Sequence, residues 1–180
     1  TYSNWELCFA DGSPTDELKG LVEGFKDERI CYHFIGENLG ISGNTNKALE
    51  MATGDWIVLC DHDDLLVPNA LYEFADRITK DPEIDSIYSD EDKIDETGKK
   101  LFEPHFKPDF NIDMLRSNNY ICHLYGVRKE LVDRVGKFNS QFDGAQDYDF
   151  ILRMSENSRK VGHVSKILYH WRTHINSTAA

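Results

Sequence analysis

Asp61-His62-Asp63-Asp64 places three carboxylates and an imidazole in four consecutive positions. They directly follow Trp56-Ile57-Val58-Leu59-Cys60, an apolar run that reads as a buried strand of a parallel sheet. Asp61 and Asp63 project to the same side if extended geometry persists through them. Two carboxylates aimed at one point repel unless a hard cation joins them, and oxygen donors of this kind suit Mg²⁺ or Mn²⁺. Ligands of open α/β sheets bind beyond the carboxyl ends of the strands, where this cluster falls. The competing role is a solvated turn in which Asp64 faces the amino end of the helix starting near Pro68. Asp11 ends an earlier strand in the same way, either as a turn-former before Gly12 or facing the same ligand as Asp61.

Two further clusters stand near the carboxyl end. Asp147 and Asp149 open a helix, where a carboxylate either stabilises the helix dipole or acts as a general base that the dipole keeps ionised. His170-Trp171-Arg172-Thr173-His174 gathers imidazoles and a guanidinium. Either histidine can complete a metal shell with Asp63, and Arg172 can pair with phosphate oxygens; the alternative is a packed aromatic strand with a polar outer face.

The elements that must position these groups alternate. Strands are predicted at Trp5 to Asp11, Ile30 to Ile35, Trp56 to Cys60 and around Ser86 to Tyr88. Helices follow Ser13-Pro14, span Asn44 to Thr53, and run from Pro68 to Lys80. This order implies a mostly parallel sheet with helices on both faces. From Asp90 to Asn119 the pattern is irregular, as in a long functional excursion. Regular structure resumes with a strand at Tyr120 to Val127, helices at Lys129 to Val135 and Asp147 to Glu156, and a strand from Val161 to Trp171. A single domain, 1–180, is expected.

Twenty Lys and Arg against 32 Asp and Glu give a formal charge of −12, which argues against nucleic acid as a partner and makes a local cation necessary for any anionic ligand. Ten Phe, eight Tyr and three Trp among 180 residues exclude a disordered chain. No apolar run approaches the ~20 residues that span a bilayer. Cys8, Cys31, Cys60 and Cys122, irregularly spaced, read as buried free thiols of a reducing compartment. Neither a G-x-x-x-x-G-K-[ST] nor a G-x-G-x-x-G loop occurs, and no serine nucleophile elbow. A calcium loop starting at Asp61 would need Gly and Glu where Leu66 and Tyr72 stand.

Five segments in order then carry a resemblance. Asn4-Trp5-Glu6-Leu7, Ala10-Asp11-Gly12-Ser13, Glu37-Asn38-Leu39-Gly40, Asp61-His62-Asp63-Asp64 and Gln146-Asp147-Tyr148-Asp149 resemble the signature of the family 2 inverting glycosyltransferases of the GT-A fold. Tyr88-Ser89-Asp90-Glu91-Asp92, Phe106-Lys107-Pro108-Asp109 and Asn119-Tyr120-Ile121 extend the similarity towards bacterial enzymes of surface-polysaccharide synthesis. The resemblance implies a Rossmann-like GT-A domain, with residues 1–92 binding a nucleoside-diphosphate-sugar donor and 93–180 holding the base and a glycan or lipid-linked acceptor. It implies that Asp11 contacts the nucleotide base, that Asn38 lies among the donor contacts, that Asp61 and Asp63 hold ribose and metal, and that Asp147 is the catalytic base. His174 is the implied further metal ligand, with His170 as the alternative and Asp64 and Asp149 as secondary candidates. Placement in the cytoplasm, peripheral to the inner face of the membrane, is the matching expectation.

The chain departs from that family at Ala10, Thr45 and Gln146, where relatives commonly carry Asp, Arg and Glu, which leaves the sugar open but spares the metal pair and the base. It begins just before the Asn-Trp-Glu-Leu segment, whereas the family opens with a strand central to the sheet. The expectation is therefore a truncated amino terminus, with open edges between the strands ending at Asp11 and Asp61 and a strand-borrowing homo-oligomer as one way to close them. Two other functions compete. A haloacid dehalogenase-type phosphohydrolase also sets D-x-D after a strand, but prefers Thr or Val where Leu65 stands. A non-catalytic fragment that binds nucleotide-sugars is the third.

Overall fold

A computed structural model describes residues 2–173. Strands β1 (Leu7–Asp11) and β2 (Ile30–Phe34) pair in parallel as a two-stranded sheet, linked by helix α1 (Glu17–Glu23). Helix α2 (Gly40–Met51) leads to strand β3 (Trp56–Leu59), the short β4 (Leu65–Leu66) and helix α3 (Ala70–Lys80). Then come β5 (Ser86–Ile94), β6 (Leu101–His105), α4 (Ile112–Ser117), β7 (Tyr125–Arg128), α5 (Lys129–Val135), α6 (Gln146–Asn157) and β8 (Val161–Arg172). Six strands form the main sheet in the order β3-β7-β5-β8-β4, with β6 beside the outer half of β5.

The expected α/β architecture holds, with helices on both faces. Phe74 of α3 packs with Ile84, Ile87 and Tyr169 on one side, while Phe150 and Met154 of α6 pack with Tyr88, Tyr120 and Tyr125 on the other. These side chains are all at most 2% exposed, and each such burial contributes on the order of 2–3 kcal/mol.

The main sheet is mixed where a mostly parallel one was expected. Only β5 and β8 pair in parallel; β3 with β7, β5 with β7, β5 with β6, and β4 with β8 are antiparallel. The cause is the excursion after Asp90. The chain leaves β5 through a hairpin at Asp95 to Gly98, runs back along it as β6, and returns past α4 as β7, which lies on the other side of β5 and antiparallel to it. The excursion is also less irregular than its composition suggests, since β5 itself continues through Asp90-Glu91-Asp92 to Ile94, β6 and α4 lie within it, and β4 is a further unforeseen strand. Three consecutive acids hide a buried strand because each has a partner. Asp90 takes His163 Nε2 at 2.9 Å, Glu91 lies 3.3 Å from Lys107 Nζ, and Asp92 takes His170 Nδ1 at 2.5 Å.

β1 and β3 are not paired with one another, and among the described residues each has a single strand neighbour. They are joined instead by Glu6, whose carboxylate accepts the Thr53 and Gly54 N–H groups at 2.6 and 2.9 Å, just before β3. The four thiols are free as expected, but Cys60 is exposed and the others half-buried, so burial is not what keeps them apart.

Candidate active site

The turn carrying Asp61, Asp63 and Asp64 leaves β3 and is pinned from β8. The Tyr169 hydroxyl, fully buried, donates to Asp64 Oδ2 and accepts from the Asp61 N–H at 3.1 Å. Asp64 Oδ1 also accepts the Arg172 N–H at 2.7 Å. Burial pushes the Asp64 carboxyl above its ordinary value, with these two hydrogen bonds opposing it. Asp64 thus organises the turn from within and makes no cap on α3, whose N-cap is Asn69. Arg172 has a related part. Its Nε donates to the Asp63 carbonyl at 2.7 Å and its Nη1 to the carbonyls of Asp95 and Glu96 at 3.3 and 3.1 Å, tying the turn to the end of β5.

Asp61 points the other way, to His123, with Oδ2 and Nε2 3.4 Å apart. The side-chain contact with His123 holds its carboxyl below the ordinary carboxylate value. His123 is 5% exposed, stacked on Tyr169 at 4.9 Å between ring centroids, and its Nδ1 has no partner among the described residues. Burial opposes its charging, but Asp61, then Asp147 and Glu91, outweigh that and raise its pKa. Its backbone N–H goes to Glu91 Oε2 at 3.2 Å. Lys107, with a side chain 0% exposed, donates to the carbonyls of Ile121 and His123 and so fixes the segment from beneath.

Asp147 stands in the first turn of α6. Gln146 orients it, donating from Nε2 to Asp147 Oδ2 at 2.9 Å while its own Oε1 accepts the Gly144 N–H at 2.8 Å. Burial raises the Asp147 carboxyl, His123 pulls it down and Asp61 adds to the rise. The dipole-held, fully ionised acid expected from the sequence is therefore a desolvated one, closer to the pKa that a base working near neutrality needs. Asp149 is placed differently. Its Oδ2 accepts Arg153 Nε and Nη2 at 3.0 and 2.7 Å, and Arg153 continues to the Gly136 and Lys137 carbonyls. That is a helix-bracing pair.

Asp11 lies at the end of β1, 3% exposed, accepting the Tyr32 hydroxyl at 2.6 Å and the Ser13 N–H at 2.9 Å. Hydrogen bonding from Ser13 and Tyr32 keeps its carboxyl below the ordinary range. Asn38 Oδ1 accepts the Gly40 N–H and Asn44 Nδ2 at 2.9 and 3.0 Å, shaping the loop into α2. The adjoining α2 is clamped to the loop before α6, because Asn46 exchanges two hydrogen bonds with the Phe138 backbone at 2.9 and 3.0 Å. His170 is engaged by Asp92, and His174 lies outside the described residues.

Asp61, Asp64, Asp147 and the unforeseen His123 and Tyr169 therefore form one neighbourhood at the carboxyl end of β3. His123 carried no signal of its own in sequence, standing as a lone histidine in an apolar run. No group of three or more His, Cys, Asp or Glu forms a ready metal cage among the described residues. The donor set nonetheless fits a magnesium-like ion, which is held by one or two carboxylates plus substrate phosphates, and Asp61 and Asp63 offer hard oxygens on one turn.

Comparisons with known proteins fit this geometry. The family model described as Glycosyl transferase family 2 matches residues 1–136. Protein y4gI of Sinorhizobium fredii is 44% identical over the whole chain, and the O-antigen biosynthesis protein RfbC of Myxococcus xanthus is 34% identical over 95% of it. The chain spans only 20% and 14% of the length of those two relatives. Among solved structures, TarS 1–349 of S. aureus superposes with a TM-score of 0.71 at 20% identity, covering 90% of this chain and 49% of that one, which shows a shared fold. A second TarS structure, in complex with UDP-GlcNAc, gives 0.71 at 18% identity over 91% of this chain and 48% of that one.

Proposed function

The chain belongs to glycosyl transferase family 2, and from that we propose that it is the catalytic core of a metal-dependent, inverting glycosyltransferase acting in polysaccharide synthesis. The donor is a nucleoside-diphosphate-sugar and the acceptor a hydroxyl of a glycan or lipid-linked saccharide; UDP-GlcNAc, bound by TarS, is the first donor to test. The observation that carries the reading is the half-buried, Gln146-oriented Asp147 sharing a neighbourhood with the Asp61 turn through His123, while Asp149 is engaged elsewhere.

Asp147 takes the proton from the acceptor hydroxyl, whose oxygen attacks the anomeric carbon from the face opposite the leaving nucleoside diphosphate. Asp63, with Asp61 on the ribose side, holds Mn²⁺ or Mg²⁺, and His174 is the further ligand in this scheme. When bound, the cation supplies charge neutralisation for the diphosphate leaving group. Asp11 and Asn38 line the nucleotide side. Arg172, engaged with three carbonyls, acts by holding the turn beneath Asp63. The donor half (1–92) and acceptor half (93–180) are divisions of use, since β5 runs unbroken from Ser86 to Ile94 across the boundary. No helix among the described residues is long and apolar enough to cross a membrane, and we place the core peripherally at the inner membrane face.

The test is product stereochemistry. Incubated with an α-linked UDP-sugar, Mn²⁺ and a saccharide acceptor, the protein is expected to release UDP and form a β-linkage, seen in the anomeric proton coupling. An α-linked product overturns the inverting scheme. Nucleotide binding without transfer favours a non-catalytic binding module.

A further inference from the structure

Beside the catalytic neighbourhood lies a half-open cavity of about 310 Å³, bordered among others by Glu91, Asp92, Glu103, Asn118, Asn119 and Trp171. Its wall adjoins the site through Cys122 and Trp171: the neighbouring His123, which lies 3.4 Å from Asp61 Oδ2, meets the Trp171 ring edge-on at 6.1 Å. We propose that this cavity is the subsite for the terminal sugar of the acceptor, and that it takes a neutral hexopyranosyl unit in preference to a uronic acid. The proposal rests on the glycosyltransferase reading for its link to transfer, though not for the binding itself.

Size, chemistry and charge each contribute. The volume sits at the small end of the ~300–1,000 Å³ range of ligand pockets, which suits one sugar ring and not an extended oligosaccharide. Trp171 contributes an aromatic ring to the lining, a group that packs against the C–H face of a pyranose, while carboxylates and side-chain amides offer acceptors and donors for its hydroxyls. Three carboxylates line the cavity, with Lys93 as the lining lysine, and Lys93 is already paired with Glu103 at 2.7 Å. Glu91 is matched by His105 at 3.3 Å and by buried Lys107, and Asp92 by His170. Each of the three acids thus already has a partner within the protein. A sugar carboxylate would enter beside these acids with no free cation among the lining residues to meet it, which discriminates against uronic acids by repulsion and desolvation.

Ligand-observed NMR on this chain, at low salt, with methyl glucoside, methyl N-acetylglucosaminide and methyl glucuronide tests the proposal. The two neutral glycosides are expected to bind, with the glucuronide at least ~10-fold weaker and the gap closing as salt screens the repulsion. Glu103→Lys, at a side chain 66% exposed and so tolerant of change, should narrow the gap several-fold. Trp171→Ala should weaken both neutral glycosides. Equal binding of glucuronide and glucoside, or an unchanged ratio in Glu103→Lys, overturns the selectivity. Absence of any glycoside binding in a protein that still binds Mn²⁺ and UDP by calorimetry overturns the subsite. Glycoside binding that follows these variants without any UDP binding supports the subsite and counts against the transferase reading instead.

Discussion

Tyr169→Phe removes one oxygen atom from the fully buried centre of the site. The ring and its stacking on His123 remain, so packing is nearly unchanged. What is lost is the hydrogen bond to the Asp64 carboxylate and the acceptor for the Asp61 N–H. The first, to a charged group, contributes about 1.5–3 kcal/mol and the second about 0.5–1.5 kcal/mol. Asp64 keeps the Arg172 N–H, and water can reach the half-buried carboxylate, so the lower part of the sum applies, about 2–3 kcal/mol. In a domain of this size that lowers the melting temperature by roughly 5–10 °C. The turn it releases carries Asp61 and Asp63, so affinity for UDP with Mn²⁺ should fall by about tenfold. Scanning fluorimetry and calorimetry read the two effects. A double-mutant cycle with Asp64→Asn should show coupling of about 1–2 kcal/mol. Strict additivity, or a melting temperature within about 1 °C of the parent, would mean that this hydroxyl does not organise the turn.

Asp63→Ala should abolish Mn²⁺-dependent UDP binding in calorimetry; unchanged affinity would place the cation elsewhere. Asp85 accepts Arg159 Nε and Nη2 at 2.8 and 2.6 Å and lies 2.9 Å from Arg128 Nε; hydrogen bonding from Arg159 holds its carboxyl below the ordinary value despite burial. A depressed carboxylate stabilises above its unfolded pKa of about 4 and loses that contribution as pH falls through the lower folded value. Urea midpoints from pH 7 to pH 3 should therefore fall below about pH 4, and fall less steeply in Asp85→Asn; parallel curves would refute the assignment. A Cβ at Gly162 would meet Ile84 Cδ1 at 2.7 Å in the fully buried interior, so Gly162→Ala should cost about 1–3 kcal/mol in chemical denaturation, and a neutral substitution would show an interior looser than described. With β1 and β3 each paired on one side only among the described residues, the protein is expected to self-associate in sedimentation through strand addition, whereas a monomer that melts high would contradict it.

Much of this was legible in the sequence because the elements are locally consistent. The apolar run of β3 followed by acids, the helix of α3 and the opening of α6 with Asp147 all stand where periodicity put them. The acids of β5 were not legible as strand, since alternation disappears when both faces are buried and the acids are met by His163, Lys107 and His170 from distant segments. Strand direction was equally hidden, because it depends on how the chain returns after Asp95. Within the site, carboxylates announce themselves by clustering. Their partners do not: His123 and Tyr169 look like core residues until the fold brings them against Asp61 and Asp64. The distinction between Asp147 and Asp149, two acids in one helical turn, needed Gln146 on one and Arg153 on the other.

That distinction is also what most directly tests the account. Donor affinity and turnover are to be measured side by side for Asp147→Asn and Asp149→Asn with UDP-sugar, Mn²⁺ and acceptor. Asp147→Asn should keep donor affinity nearly intact while turnover falls by about 10² or more, the usual scale for a lost general base. Asp149→Asn should lose stability through Arg153 and keep turnover within about tenfold. An active Asp147→Asn beside an inactive, well-folded Asp149→Asn would contradict the central assignment.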